Sequence, residues 1–176
     1  MAAKKKQGQK ISSNDNSASA SHDRGSLILN KVEVLLAAGR AKEAFDLLNA
    51  QESGDPMLKN ARGVCLLHMG QPETAVRAFR QLCLAPGGIL MRTDVPVVFK
   101  TNFATGLLMS NRVGGCLEVI QEIHNETHPS VQRLRAAIAR WEAGLTFRQR
   151  LFWKLGVEPK QPVAANEQLR GELVEP

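Results

Sequence analysis

Gly39-Arg-Ala-Lys-Glu-Ala44-Phe-Asp-Leu-Leu48 is answered further along by Gly70-Gln-Pro-Glu-Thr-Ala75-Val-Arg-Ala-Phe79. A weaker third version runs Asn111-Arg-Val-Gly-Gly-Cys116-Leu-Glu-Val-Ile120. Each copy sets a turn residue, a small residue five positions on, and a large apolar residue four beyond that. Four positions is about one helical turn, so the small and the large residue share a face. Repetition at such a period decides architecture before other signals, because each unit buries its apolar flank only against the next.

Outward from these copies the chain reads as helices joined by short turns. Ser26 is placed to cap a helix whose apolar residues are Leu27, Ile28, Val32, Leu35 and Leu36, and Gly39 to close it in the left-handed region. A second helix covers Ala41 to Ala50. Asp55-Pro56 is a start signal, an acceptor side chain followed by proline in the first turn. That helix runs to about Met69. Gln71-Pro72 opens another, which Pro86-Gly87-Gly88 stops. Residues 86–96 form an irregular insert. Helices then follow from about Val97 to Ser110, from the Asn111–Gly114 turn to about His124, and from His128-Pro129 to near Gly144. Thr146-Phe-Arg-Gln149 has the capping-box pattern and opens a short last helix that Gly156 ends. No period-two segment of useful length calls for strands.

The ends differ in composition. Residues 1–25 hold Lys4, Lys5, Lys6 and Lys10 among Gln, Ser, Asn and Ala, with Ile11 the one large aliphatic after Met1. So little apolar surface does not offset chain entropy, and the stretch reads as a disordered basic tail. Residues 157–176, with Pro159, Pro162 and Pro176, read as a loose tail with one helical turn around Asn166 to Leu169. A helical domain over 26–156 lies between. The net charge of +6 gathers at the N-terminal tail and around Arg148, Arg150 and Lys154, while the middle is nearly balanced. A basic surface over the whole domain is therefore not implied. Lys4–Lys6 and Lys10 fit either a solubilising tail or a salt-sensitive tether to nucleic acid or anionic lipid.

Cys65, Cys83 and Cys116 are dispersed, odd in number and set in apolar helical patterns, so they read as small core residues in a reducing compartment. The basic start lacks the apolar stretch of a secretory signal. No apolar run approaches the ~18 residues a membrane span needs. The expectation is a soluble, cytoplasmic protein.

The pattern resembles the tetratricopeptide repeat, a helix–turn–helix unit of about 34 residues. The stretch from Pro56 to Ile89 carries it best, with Gly63 and Ala75 at the small positions, Leu66 and Phe79 at the bulky ones, Gly70 in the turn and Pro86 near the closing proline. The unit before matches through Gly39, Ala44 and Leu48, with Val32 where a small residue is expected. The unit after matches through Ala104, Leu107, Cys116 and Ile120, with Asn111 in place of the turn glycine. A fourth pair keeps Gly144 alone. The spacing departs from the family period, at 31 residues from Ala44 to Ala75 and 41 from Ala75 to Cys116. The resemblance implies an all-α fold, an α-α superhelix (a solenoid of three to four helix–turn–helix repeats).

It also implies a protein–protein interaction scaffold that takes a partner peptide or domain in the groove lined by first helices. By repeat phase those positions are Leu29, Glu33, Met57, Asn60, Val64, His68, Thr101, Thr105 and Met109. Some relatives clamp a terminal carboxylate there with Lys and Arg. The matching Asn60 and Thr101 are uncharged, although Lys59 and Lys100 adjoin them, which argues against such a clamp.

The last helix, Phe147 to Leu155, sets Phe147, Leu151, Phe152 and Leu155 on one arc and points Trp153 away from it. One reading seals the array with that arc and lays Trp153 on a neighbour's edge. Another makes Trp153, flanked by Arg148, Arg150 and Lys154, an anchor for a partner. Contact with a membrane surface or nucleic acid is a third, and it supports the alternative of a nucleic-acid or ribosome-associated accessory protein. His124 and His128 do not form His-Glu-x-x-His, and the helix boundary before Pro129 interrupts helical spacing between them. No phosphate loop, dinucleotide fingerprint or nucleophile–base signature occurs. Neither an enzyme, a cofactor nor a metal is expected.

Overall fold

A computed structural model describes residues 15–51, 54–164 and 169–173, with side chains from residue 24 onward. Among these residues the chain forms helices α1 (Asp15–Ala37), α2 (Ala41–Asn49), α3 (Pro56–His68), α4 (Pro72–Cys83), α5 (Val97–Met109), α6 (Val113–Ile123), α7 (Pro129–Ala143) and α8 (Phe147–Lys154). The described part has no strand, only one isolated antiparallel bridge between Leu84 and Met91.

The three copies of the opening phrase fold identically. Gly39, Gly70 and Asn111 have φ of 72°, 69° and 57°. Their N–H groups donate to Leu36, Leu67 and Leu108, and the following N–H groups of Arg40, Gln71 and Arg112 donate to Leu35, Leu66 and Leu107. This paired closure satisfies carbonyls that each ending helix leaves open. The next helix then begins alike, with Ala44, Ala75 and Cys116 donating to the carbonyls of Arg40, Gln71 and Arg112, each at 3.1 Å. All three small residues are fully buried. Asn111 supplies the left-handed turn because its short polar side chain tolerates that region.

The helices pack in two layers. Successive helices touch from α1 through α6, and the odd helices also touch one another: α1 with α3, α3 with α5, and α5 with α7. Each pair therefore shields a flank of its neighbour, in a repeat-like arrangement. A Cβ on Gly63 would lie 2.4 Å from the ring of Phe79. The small residue of one helix and the aromatic residue of the next thus occupy one space, and Phe79 is fully buried as a result.

Start signals work as the sequence implies. Asp55 accepts from the Met57 N–H at 2.8 Å ahead of Pro56. Thr146 and Gln149 form a reciprocal cap. The insert folds into a small hairpin, with Ala85 donating to Leu90 and Arg92 to Cys83.

Three expectations are corrected. The first helix begins at Asp15, not Ser26, so residues 15–25 are helical. The stretch contains no proline, and a helix anchored by buried Val32, Leu35 and Leu36 propagates into adjoining residues at little cost. Residues 1–14 lie outside the described residues. Second, α8 is inverted. Phe147 and Leu155 are 83% and 70% exposed, and Leu151 and Phe152 also face out. Trp153 turns inward instead. Its ring meets Trp141 edge-on at 5.3 Å, and its N–H donates to Glu142 at 2.8 Å. Trp153 is therefore half-buried against its own chain, which removes it as a free anchor. An indole gains both an aromatic contact and a hydrogen-bond acceptor there, and a phenyl ring gains only the first.

Third, the C-terminal stretch is not loose where it is described. The Glu158 carboxylate accepts from the N–H groups of Val113 and Gly114 at the start of α6. Helices α2 and α4 carry Glu43 and Glu73 in their first turns, whereas α6 has no acid of its own. Glu158 supplies the missing negative charge from 45 residues away. Gln161 accepts from the Trp141 indole at 2.8 Å, and Val163 donates to the Asn111 side chain at 2.8 Å. Residues 165–168, within the helical turn expected from Asn166, lie outside the described residues. Leu169 itself is not helical.

Candidate functional site

The odd helices present one continuous face, and a five-residue segment of the same chain, Leu169–Leu173, lies on it. At its centre, the Asn102 side chain on α5 engages Glu172 through both backbone polar groups. Its Oδ1 accepts from the Glu172 N–H at 2.8 Å, and its Nδ2 donates to the Glu172 carbonyl at 2.6 Å. The same Nδ2 donates to Asn60 Oδ1 on α3 at 3.0 Å, and Asn60 Nδ2 reaches the Glu172 carbonyl at 3.4 Å. Both asparagines are almost wholly buried. Buried amides are tolerated only when bonded, and here each satisfies the other and the segment.

The side chains of the segment are held separately. Leu169 is 4% exposed and joins the core beside Leu134. The Glu172 carboxylate pairs with Arg133 and accepts from the Ser130 hydroxyl, both on α7, and Arg133 also donates to Ser130 at 3.1 Å. Gly171 has φ of 78°. A Cβ there would lie 3.1 Å from Asn102 Oδ1 and from Leu67. Leu173 is half-buried. Arg170 is exposed.

Two cavities flank the segment. One, of about 290 Å³, lies on the side of Thr101, Thr105, Ser130 and Arg133. The other, of about 400 Å³, lies on the side of Glu33, Leu36, Val64 and His68. His68 is half-buried. Burial first, and then the charge of Arg170, hold its imidazole below the ordinary histidine pKa.

Of the positions expected from repeat phase, Glu33, Asn60, Val64, His68, Thr101 and Thr105 gather around this segment. Leu29, Met57 and Met109 are half-buried and packed on the core, and they do not line either cavity. Thr101 and Thr105 turn their hydroxyls back onto their own helix, donating to Val98 at 3.0 Å and Thr101 at 2.8 Å. They shape the wall without offering a donor to a ligand. Asn102, Ser130 and Arg133 were missed. Asn102 lies one position past the phase-equivalent of Asn60, where a strict 41-residue offset selects Thr101.

Burial pushes the thiols of Cys65, Cys83 and Cys116 up to about 12. Among the described residues no group of three His, Cys, Asp or Glu side chains is placed to hold a metal ion. No helix among them is long and apolar enough to cross a membrane. No protein-family model, no curated protein and no solved structure matches the chain.

Proposed function

We propose that this protein is a protein–protein interaction module of tetratricopeptide type, an α-α superhelix whose odd-helix face holds an extended segment of a partner. Support for the superhelix comes from the three identical turns and the contacts between alternate helices. The observation that carries the function is the double engagement of Glu172 by Asn102. An amide that bonds both the N–H and the carbonyl of one residue imitates a neighbouring β-strand. It reads backbone, so it accepts a segment that presents the N–H and carbonyl of one residue together and whose flanking residues fit. Helices fixed by core packing hold the amide ready, which lowers the ordering cost of capture.

The nucleic-acid alternative is less well supported. Arg150 donates to the carbonyls of Glu142, Ala143 and Leu145 at 3.4–3.5 Å, so it serves its own chain. Lys4–Lys6 and Lys10 lie outside the described residues.

Selection of a displayed random-peptide library against the full chain tests the proposal. The expected result is enriched peptides that stay bound at ~0.5 M salt, where exposed charge contacts are screened, and that are lost with Asn102→Leu while helix content is unchanged. Peptides that bind Asn102→Leu equally well would overturn it.

A further inference from the structure

The segment on the odd-helix face also specifies what a partner must look like. Building on the interaction reading above, we infer that the partner segment carries the pattern leucine, any residue, glycine, acid, apolar residue, and that Leu169–Leu173 is its intramolecular competitor.

Each position of the pattern has its own cause. Leucine comes first because Leu169 enters the core beside Leu134. The second position is free because Arg170 is exposed. Glycine is required third, since φ is 78° and a Cβ would meet Asn102, Leu67 and Val64 within 3.4 Å. Both the conformation and the space exclude other residues. The fourth position is acidic because the Ser130 hydroxyl and Arg133 guanidinium converge on one carboxylate. The fifth is apolar, as Leu173 packs against the core next to Val64.

The face is larger than its present occupant. Cavities of about 290 and 400 Å³ remain on either side of a segment that leaves Arg170 in solvent and Glu172 and Leu173 half-buried. An incoming segment with bulkier flanks gains contacts that the tethered one lacks. The tethered one gains instead from effective concentration, because its binding is intramolecular. An outside ligand therefore binds with an affinity reduced by the fraction of faces already filled.

The test uses full-length proteins and a fluorescent peptide, Glu-Gln-Leu-Arg-Gly-Glu-Leu-Val-Glu, which repeats residues 167–175. Fluorescence polarisation compares wild type with two variants that unseat the tethered segment, Gly171→Val by strain and Glu172→Lys by repulsion from Arg133. Binding is expected to be at least about tenfold tighter to each variant than to wild type. Adding Asn102→Leu should abolish it. A peptide with lysine in place of its second glutamate should bind poorly, and Arg133→Glu in the protein should restore it.

If library-selected peptides depend on Asn102 but lack the glycine–acid pair, the pattern is overturned and the interaction reading stands. If neither the peptide nor the library binds the unseated variants, both fall. If the wild-type chain is itself a dimer that Glu172→Lys converts to monomers, the segment serves a second copy of this chain, and the outside-partner assignment is overturned.

Discussion

Asn102 and Glu172, 70 residues apart in sequence, are joined by two hydrogen bonds between one side-chain amide and one residue's backbone. Asn102→Ala leaves the Glu172 N–H and carbonyl, and the Asn60 amide, short of partners at a buried site. The expected loss is about 1–3 kcal/mol of unfolding free energy in urea titration. Asn102→Asp should cost more, because its second oxygen would face the Glu172 carbonyl and Asn60 Oδ1. A loss below ~0.5 kcal/mol for Asn102→Ala would contradict the arrangement, since that is the range of surface substitutions.

Glu158→Gln removes the charge that stands at the N-terminus of α6. A loss of about 0.3–1 kcal/mol is expected, shrinking as salt is added. Introducing an acid into the first turn itself, as Gly114→Glu, should recover part of the loss. Melting temperature at low and high salt measures both effects.

Trp153→Ala and Phe152→Ala separate the observed orientation of α8 from its reverse. Trp153→Ala forfeits the ring contact with Trp141 and the bond to Glu142, an expected loss of about 1–3 kcal/mol. Phe152→Ala on the outer face should stay within ~0.5 kcal/mol. The opposite ranking in chemical denaturation would mean that the apolar arc faces inward after all.

Lowering pH should loosen the Leu169–Leu173 segment through His68. Its folded pKa lies below the ordinary value near 6.5. The unfolded or unseated state therefore takes up a proton first. The stabilising contribution is complete above the ordinary pKa and is lost as pH falls through the depressed one. Arg170, Glu33 and Glu172 border the same cavity, so the proton adds positive charge beside Arg170. The protection factor of the Glu172 N–H, which allows for the slower intrinsic exchange at lower pH, should fall on acidification below about pH 6.5. In His68→Gln the part of that fall due to this proton should vanish.

The three thiols should be inert in the folded protein. With their pKa at about 12 and their side chains buried, little thiolate forms at pH 8. Ellman's reagent should detect no fast-reacting thiol natively and three after denaturation.

Much of the helical layout was legible because it rests on local chemistry. Turn residues, proline starts and the Thr146 cap act within a few positions, so their spacing carries the answer. Non-local partners were illegible. Nothing near Glu158 announces that α6 lacks a first-turn acid. The arc of α8 shows which residues share a face, but the choice of face depends on Trp141 and Glu142, one helix away. The face that holds Leu169–Leu173 was legible in part. Repeat phase found Asn60 and selected Thr101, whose hydroxyl bonds its own helix, where the adjoining Asn102 makes the bond to Glu172. That the face already holds part of its own chain could not be seen from composition, which marked residues 157–176 as proline-rich and polar.

Stacked hairpins ordinarily touch only their neighbours, so they can fray one unit at a time from either end. Here the bond from Asn60 to Glu172 spans 112 residues, and Ser130 and Arg133 grip the same residue from α7. The clasp converts an open chain of modules into a closed circuit: opening any one unit between α3 and α7 strains the rest. Melting is then a single concerted event, and folding reaches its last step only after the most distant stretches of the polypeptide have met.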